Sequence, residues 1–153
     1  MTTIKRILVP TDFSEPADEA LDYALQLAHA LGATVSLAHV LDDPFERTLY
    51  SEQYVPMPDA MREEILTYVR TRLAARVARS GQPDVNSEIL TGPIAQAIAQ
   101  RARDADLVVM GTHGRHGIAH LLMGSVAERV VRTAPCPVLT VHGGSIGHAT
   151  KVA

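Results

Sequence analysis

Short apolar runs alternate with amphipathic stretches along the whole chain. Ile4–Val9 reads as a strand ended by Pro10. Apolar positions then recur at Ala17, Ala20, Leu21, Ala24, Leu25, Ala28 and Leu31, which is the spacing of one helix face. Ser14 is the predicted N-cap of that helix, Pro16 suits its first turn, and Gly32 closes it. Thr34–Leu41 is a second strand. Residues 42–58 carry Pro44, Pro56, Pro58, Tyr50 and Tyr54 and read as a surface excursion, a candidate flap over a ligand. Asp59 is the predicted cap of a long helix to Arg79, with Met61, Ile65, Tyr68, Leu73 and Val77 on its apolar face and Arg70, Arg72, Arg76 and Arg79 on its wet face. Ser80-Gly81 ends it.

Val85–Leu90 is a third strand, Pro93 opens a helix to Arg101, and Leu107–Met110 is a fourth strand. Val126–Arg132 is helical and Pro137–Val141 is a fifth strand. Residues 143–153 read as a flexible C-terminal tail, with one domain over 1–142 and no repeat or linker. Strands alternating with helices predict an α/β domain: an open parallel sheet with helices on both faces.

Composition changes this picture little. A chain that is 46% hydrophobic and 20% charged is globular rather than disordered. A net charge of -3 argues against a nucleic-acid surface. Cys136 is the single cysteine, so no internal disulfide forms and a reducing compartment fits. Lying between two prolines at a strand start, it reads as a structural thiol. No signal-peptide pattern and no long apolar span occur, so a cytoplasmic location without membrane insertion is expected.

The candidate chemistry lies between the fourth strand and the helix that follows. Gly111, Gly114 and Gly124 let backbone approach a ligand, and Ser125 stands at the helix start. Such a strand-to-helix junction leaves backbone N–H groups free for a phosphate. Connections of this kind usually run about 2–6 residues, so this longer one is expected to be functional. Open α/β sheets bind ligands at the carboxyl ends of strands where strand order reverses. If the first and fourth strands are neighbours, Pro10-Thr11-Asp12 faces this loop across the crevice. Asp12 is then placed to accept from a ribose hydroxyl or a base amine, and Val40 offers backbone groups to an adenine edge. Read without a ligand, Asp12 and Ser125 are helix caps and His39 is a packed side chain.

Other chemistries are disfavoured. A P-loop needs G-x4-G-K-[S/T], and the only lysines are Lys5 and Lys151. The glycine spacing of a dinucleotide site is absent after the first strand, and no Gly-x-Ser-x-Gly stands between a strand and a helix as a nucleophile elbow requires. His113, His116 and His120 lie in a Gly-rich loop without cysteine, and no metal site is expected there.

At these residues the chain resembles the universal stress protein family. Ile7-Leu-Val-Pro-Thr-Asp-Phe-Ser14 is similar to its first strand and turn, His39-Val-Leu-Asp42 to its second strand end, and Ala134–Val141 to its last strand. Gly111-x2-Gly114-x9-Gly124-Ser125 resembles the motif of its ATP-binding branch. The resemblance implies a Rossmann-like sheet of the adenine nucleotide alpha hydrolase type, five strands in the order 3-2-1-4-5. It implies that Asp12 and Val40 hold the nucleoside and that Gly111, Gly114, Gly124 and Ser125 hold the phosphates.

The candidate site is therefore Pro10, Thr11, Asp12, Val40, Met110, Gly111, Gly114, Arg115, His116, Gly124, Ser125 and Val126. ATP is the expected cofactor, with Mg2+ only as carried by the nucleotide. Strand 137–141 is an apolar sheet edge without blunting charges, so a homodimer through it is expected, as in the family. The function this implies is a nucleotide-dependent regulator in stress response, acting through a protein partner. Occupancy would order the 111–125 loop and the 42–58 excursion. A slow ATPase or nucleotidyl-transfer enzyme at the same site, and a nucleotide-independent dimeric adaptor, are the alternatives.

Overall fold

The computed structural model describes residues 3–42, 57–113 and 123–142. Residues 43–56 of the 42–58 excursion, residues 114–122 of the glycine loop and the 143–153 tail lie outside the described residues. Among the described residues five strands, β1 (Arg6–Pro10), β2 (Thr34–Leu41), β3 (Val85–Thr91), β4 (Leu107–Gly111) and β5 (Val138–Val141), alternate with four α-helices: α1 (Glu15–Leu31), α2 (Asp59–Ser80), α3 (Ile94–Arg101) and α4 (Ser125–Thr133). The strands form one sheet in the order β3-β2-β1-β4-β5, with every pairing parallel.

Strand alternation sorts the core into two layers. Ile7, Val9, Val35, Leu37, Leu107 and Val109 pack against Leu21, Ala24 and Leu25 of α1 and Val69 and Leu73 of α2. Leu8, Ala38, Val40, Val108 and Met110 face the other way, onto Ala95 and Ile98 of α3 and Ala127 and Val130 of α4. β1 and β4 are buried on both faces, as central strands of a doubly covered sheet must be.

α1 follows its sequence signals closely. The Ser14 hydroxyl accepts from the Ala17 N–H, and Gly32 takes the left-handed conformation that ends the helix.

α2 departs from the expected pattern in three ways. Pro58, not Asp59, occupies the N-cap position, and no side chain caps that end. Met61, Ile65 and Tyr68 are exposed, and burial is confined to Val69 and Leu73, with Val77 packed at the margin. The reason is length: 22 residues of helix reach about 33 Å, whereas the seven residues of β3 reach about 23 Å. The first turns of α2 outrun the sheet that covers the rest. Thirdly, the arginines are not one solvated face. Arg76 is nearly buried and forms a forked pair with Asp18 of α1, at 2.6 and 2.9 Å. The guanidinium of Arg72 lies over the Phe13 ring, and Arg79 pairs with Asp22.

At the opposite end of the sheet, Asp106 staples the start of β1. Its carboxylate accepts from the Lys5 and Arg6 N–H groups at 3.0 and 2.9 Å and from the Arg6 guanidinium at 3.0 Å. These hydrogen bonds, led by that of the Arg6 side chain, hold its pKa at about 2, against an ordinary value of about 3.9. A carboxylate whose folded-state pKa is depressed contributes stability above its unfolded pKa, and that contribution is lost as pH falls through the folded-state value. Stability should therefore fall as pH drops from about 4 toward 2. Asp106→Asn should flatten that part of a urea-midpoint profile against pH; an unchanged profile would show that Asp106 does not contribute.

Candidate functional site

A crevice of about 460 Å³ opens at the carboxyl ends of β1, β2 and β4, within the roughly 300–1,000 Å³ of small-molecule sites. It lies where the chain leaves β1 toward one side of the sheet and β4 toward the other. Nine predicted residues line it: Pro10, Thr11, Asp12, Val40, Met110, Gly111, Gly124, Ser125 and Val126. Gly114, Arg115 and His116 lie outside the described residues.

The turn after β1 is tied at every residue. The Thr11 N–H donates to Ala38 O at 2.8 Å, and the Phe13 N–H to Thr11 Oγ1 at 3.0 Å. Asp12 Oδ1 accepts from both the N–H and the hydroxyl of Ser14. Asp12 therefore supports the α1 cap through Ser14 rather than capping the helix itself. The cost of the turn appears at Phe13, whose φ of 66° is left-handed; a bulky side chain there costs on the order of 1–2 kcal/mol.

Gly111 lies where β4 passes the first turn of α1. A Cβ there would stand 3.0 Å from Pro16 O and 3.1 Å from Pro16 C. Gly124 is similarly close to backbone: its N–H donates to Thr112 O at 2.7 Å, and a Cβ would meet that same oxygen at 3.1 Å. The alternative reading of Ser125 as a plain N-cap does not hold. Gly124 is the N-cap, Ser125 is the first helical residue, and no side chain caps α4. The first-turn N–H groups of α4 thus have no capping side chain, and the positive end of the helix dipole opens on the crevice. Such an end holds an anion without a lysine.

The lining also includes residues that the sequence reading did not assign to the site: Ala38 and His39 from β2, Ile94 and Ile98 from α3, Thr112 and His113 after β4, and Ala127. Ile94 and Ile98 have ordinary helical core spacing, which carries no sign that they face a ligand. His39 is packed as expected, its ring stacked on Phe13 with centroids 4.5 Å apart, and also borders the crevice. Its Nδ1–H donates to Thr11 O at 2.8 Å. Thr112, almost fully buried, sets its hydroxyl 3.0 Å from His113 Nδ1 and 3.2 Å from His142 Nδ1. A hydroxyl has one proton, so it donates to at most one of the two rings. His113 Nε2 is buried and has no hydrogen-bond partner among the described residues.

The crevice wall combines the apolar side chains of Val40, Ile94, Ile98 and Met110 with Asp12 and the N-terminus of α4. That combination matches a ligand with a flat apolar body, hydroxyls and an anionic tail. Away from the site, burial pushes the Cys136 thiol above its ordinary pKa, which fits a structural role rather than a reactive one. Among the described residues no helix is long and apolar enough to cross a membrane.

Comparison with known proteins gives a consistent result. The model of the universal stress protein family matches residues 3–142. The universal stress protein MJ0531 of Methanocaldococcus jannaschii is 34% identical over 140 residues, covering 90% of this chain and 81% of the relative. Among solved structures, that of hypothetical protein MJ0577 superposes with a TM-score of 0.76 at 27% identity, covering 92% of this chain and 97% of the other. A universal stress protein in complex with cAMP superposes with a TM-score of 0.65 at 26% identity, covering 92% of this chain and 99% of the other.

Proposed function

The chain belongs to the universal stress protein family, and from that premise we propose that it is an ATP-binding regulator of the stress response. The observation that carries this reading is the uncapped N-terminus of α4 facing the Asp12 turn across a single crevice. The adenine would lie in the crevice beside Val40, with the ribose hydroxyls on the Asp12 carboxylate. The phosphates would take the backbone N–H groups of Ser125 and Val126 at the start of α4, beside the Gly111 backbone. Gly114, Arg115 and His116 complete the phosphate side in this reading. Mg2+ would enter on the phosphates. A relative solved with cAMP supports an adenine nucleotide as the class of ligand.

The protein acts, in this reading, as a cytoplasmic homodimer through β5, which lies at the sheet edge. It signals to a protein partner whose docking depends on occupancy. A charge at Leu139 or a proline at Thr140 interrupts strand-to-strand pairing of two copies. Leu139→Asp and Thr140→Pro should therefore convert a dimer into monomer by light scattering; a dimer that survives both places the interface elsewhere.

The reading is tested by denaturing the purified protein and identifying any released nucleotide by chromatography. Release of ATP or ADP, or uptake of added Mg-ATP by an empty preparation, is the expected result. A wild type that is empty and refuses Mg-ATP overturns it and leaves a nucleotide-independent adaptor in front.

A further inference from the structure

Two arginines of α2 converge on the one residue of the β1 turn that is held in an unfavourable conformation. The Arg72 and Arg76 guanidiniums each lie 4.9 Å from the centre of the Phe13 ring. Arg76 also donates through Nη2 to Phe13 O at 3.3 Å, while its fork is fixed on Asp18. Arg72 is held in turn by Tyr68, whose hydroxyl accepts from Nη1 at 2.7 Å. Neither arginine lines the crevice.

We propose that Arg72 and Arg76 are positioning residues for the nucleoside end of the crevice: they hold Phe13 in its left-handed conformation and so set where Asp12 stands. The proposal rests on the reading that Asp12 receives the nucleoside. A left-handed phenylalanine persists only where its surroundings over-determine it. Here they do so from three sides of the chain: His39 of β2 stacks on the ring, the two guanidiniums meet it, and Arg76 binds its carbonyl. Phe13 lies between Asp12 and Ser14, which are joined through Asp12 Oδ1. Returning Phe13 to a negative φ would swing Asp12 away from Ser14, breaking that bond and withdrawing the carboxylate from the crevice wall. A lysine would keep the charge but not the flat stacking surface or the fork.

The test uses Arg72→Ala, which removes a half-buried side chain outside the crevice, and Arg76→Lys, which keeps a cation beside Asp18. Mg-ATP affinity is measured by titration calorimetry well below each variant's unfolding temperature. Each variant should weaken binding about fivefold. In a Phe13→Gly background, where the left-handed conformation is free of strain, the same changes should weaken it less than about twofold. A purely electrostatic role, independent of Phe13, predicts the same loss in both backgrounds, and that result overturns the proposal, as does unchanged affinity in both single variants. Amide hydrogen exchange of ligand-free protein gives an independent readout. The Phe13 and Ser14 amides, bonded to Thr11 Oγ1 and Asp12 Oδ1, should exchange faster in both variants; unchanged exchange overturns the clamp. Should wild type bind no adenine nucleotide, the functional reading fails and the exchange data alone decide the clamp.

Discussion

Gly111→Val should abolish nucleotide binding and lower folding stability by about 2 kcal/mol. The position has no space for a side chain. A Cβ would already stand 3.0–3.3 Å from three atoms of Pro16, two of them backbone. Neither neighbour yields easily. The first turn of α1 is fixed by the Ser14 cap and the Arg76–Asp18 pair, and the end of β4 is held in register with Val141 of β5. Valine adds two methyl groups to the clash, so either α1 or the end of β4 must move, and each carries part of the crevice wall. Urea unfolding and calorimetric titration with Mg-ATP read the two effects separately. Wild-type stability together with wild-type affinity would show that the contact is softer than the geometry implies and that Gly111 has no part in the site.

Asp12→Ala should raise the Kd for ATP by about 10–100-fold, the cost of losing charge-assisted hydrogen bonds to ribose. Two effects combine in this variant. The ligand loses its acceptor, and the turn loses the oxygen that binds the Ser14 N–H and hydroxyl. Asp12→Asn separates them, because an amide oxygen can keep the turn while the charge is gone. Its affinity should fall between wild type and alanine, with the unfolding temperature near that of wild type. Alanine and asparagine variants that both bind as tightly as wild type would remove Asp12 from the nucleoside site. Binding kept but turnover lost in Asp12→Ala would instead favour the slow-ATPase alternative.

The turn and the loop behind these predictions were legible in the chain to different degrees. Pro10, Thr11 and Asp12 stand out because they follow a strand directly, and Gly111 and Gly124 because a glycine-flanked strand-to-helix junction is uncommon at this length. Ser125 was legible as part of a helix start, but which residue stands at the cap position was not. The choice between Gly124 and Ser125 depends on one residue's backbone angles, which side-chain type does not determine. Phe13 carries no sequence sign of its left-handed backbone, since that conformation is imposed by contacts with β2 and α2.

Local pattern by itself determined that the chain alternates strand and helix, where most elements start and stop, and that helices cover both faces of the sheet. These follow from residue-by-residue physics: side-chain period, capping hydroxyls, prolines and glycines act over a few positions. The strand order 3-2-1-4-5 came only through family resemblance, and the tertiary structure is what makes it matter. Setting β1 between β2 and β4 brings Asp12, Val40 and Gly111 to one crevice although they are far apart in the chain. Only the tertiary structure decided that Arg72 and Arg76 leave the solvent to meet Phe13, and that Met61, Ile65 and Tyr68 do not reach the core. A helical pattern states which residues share a face. What that face meets depends on where the helix lies and how far its neighbour extends, and these are set by packing between elements distant in sequence.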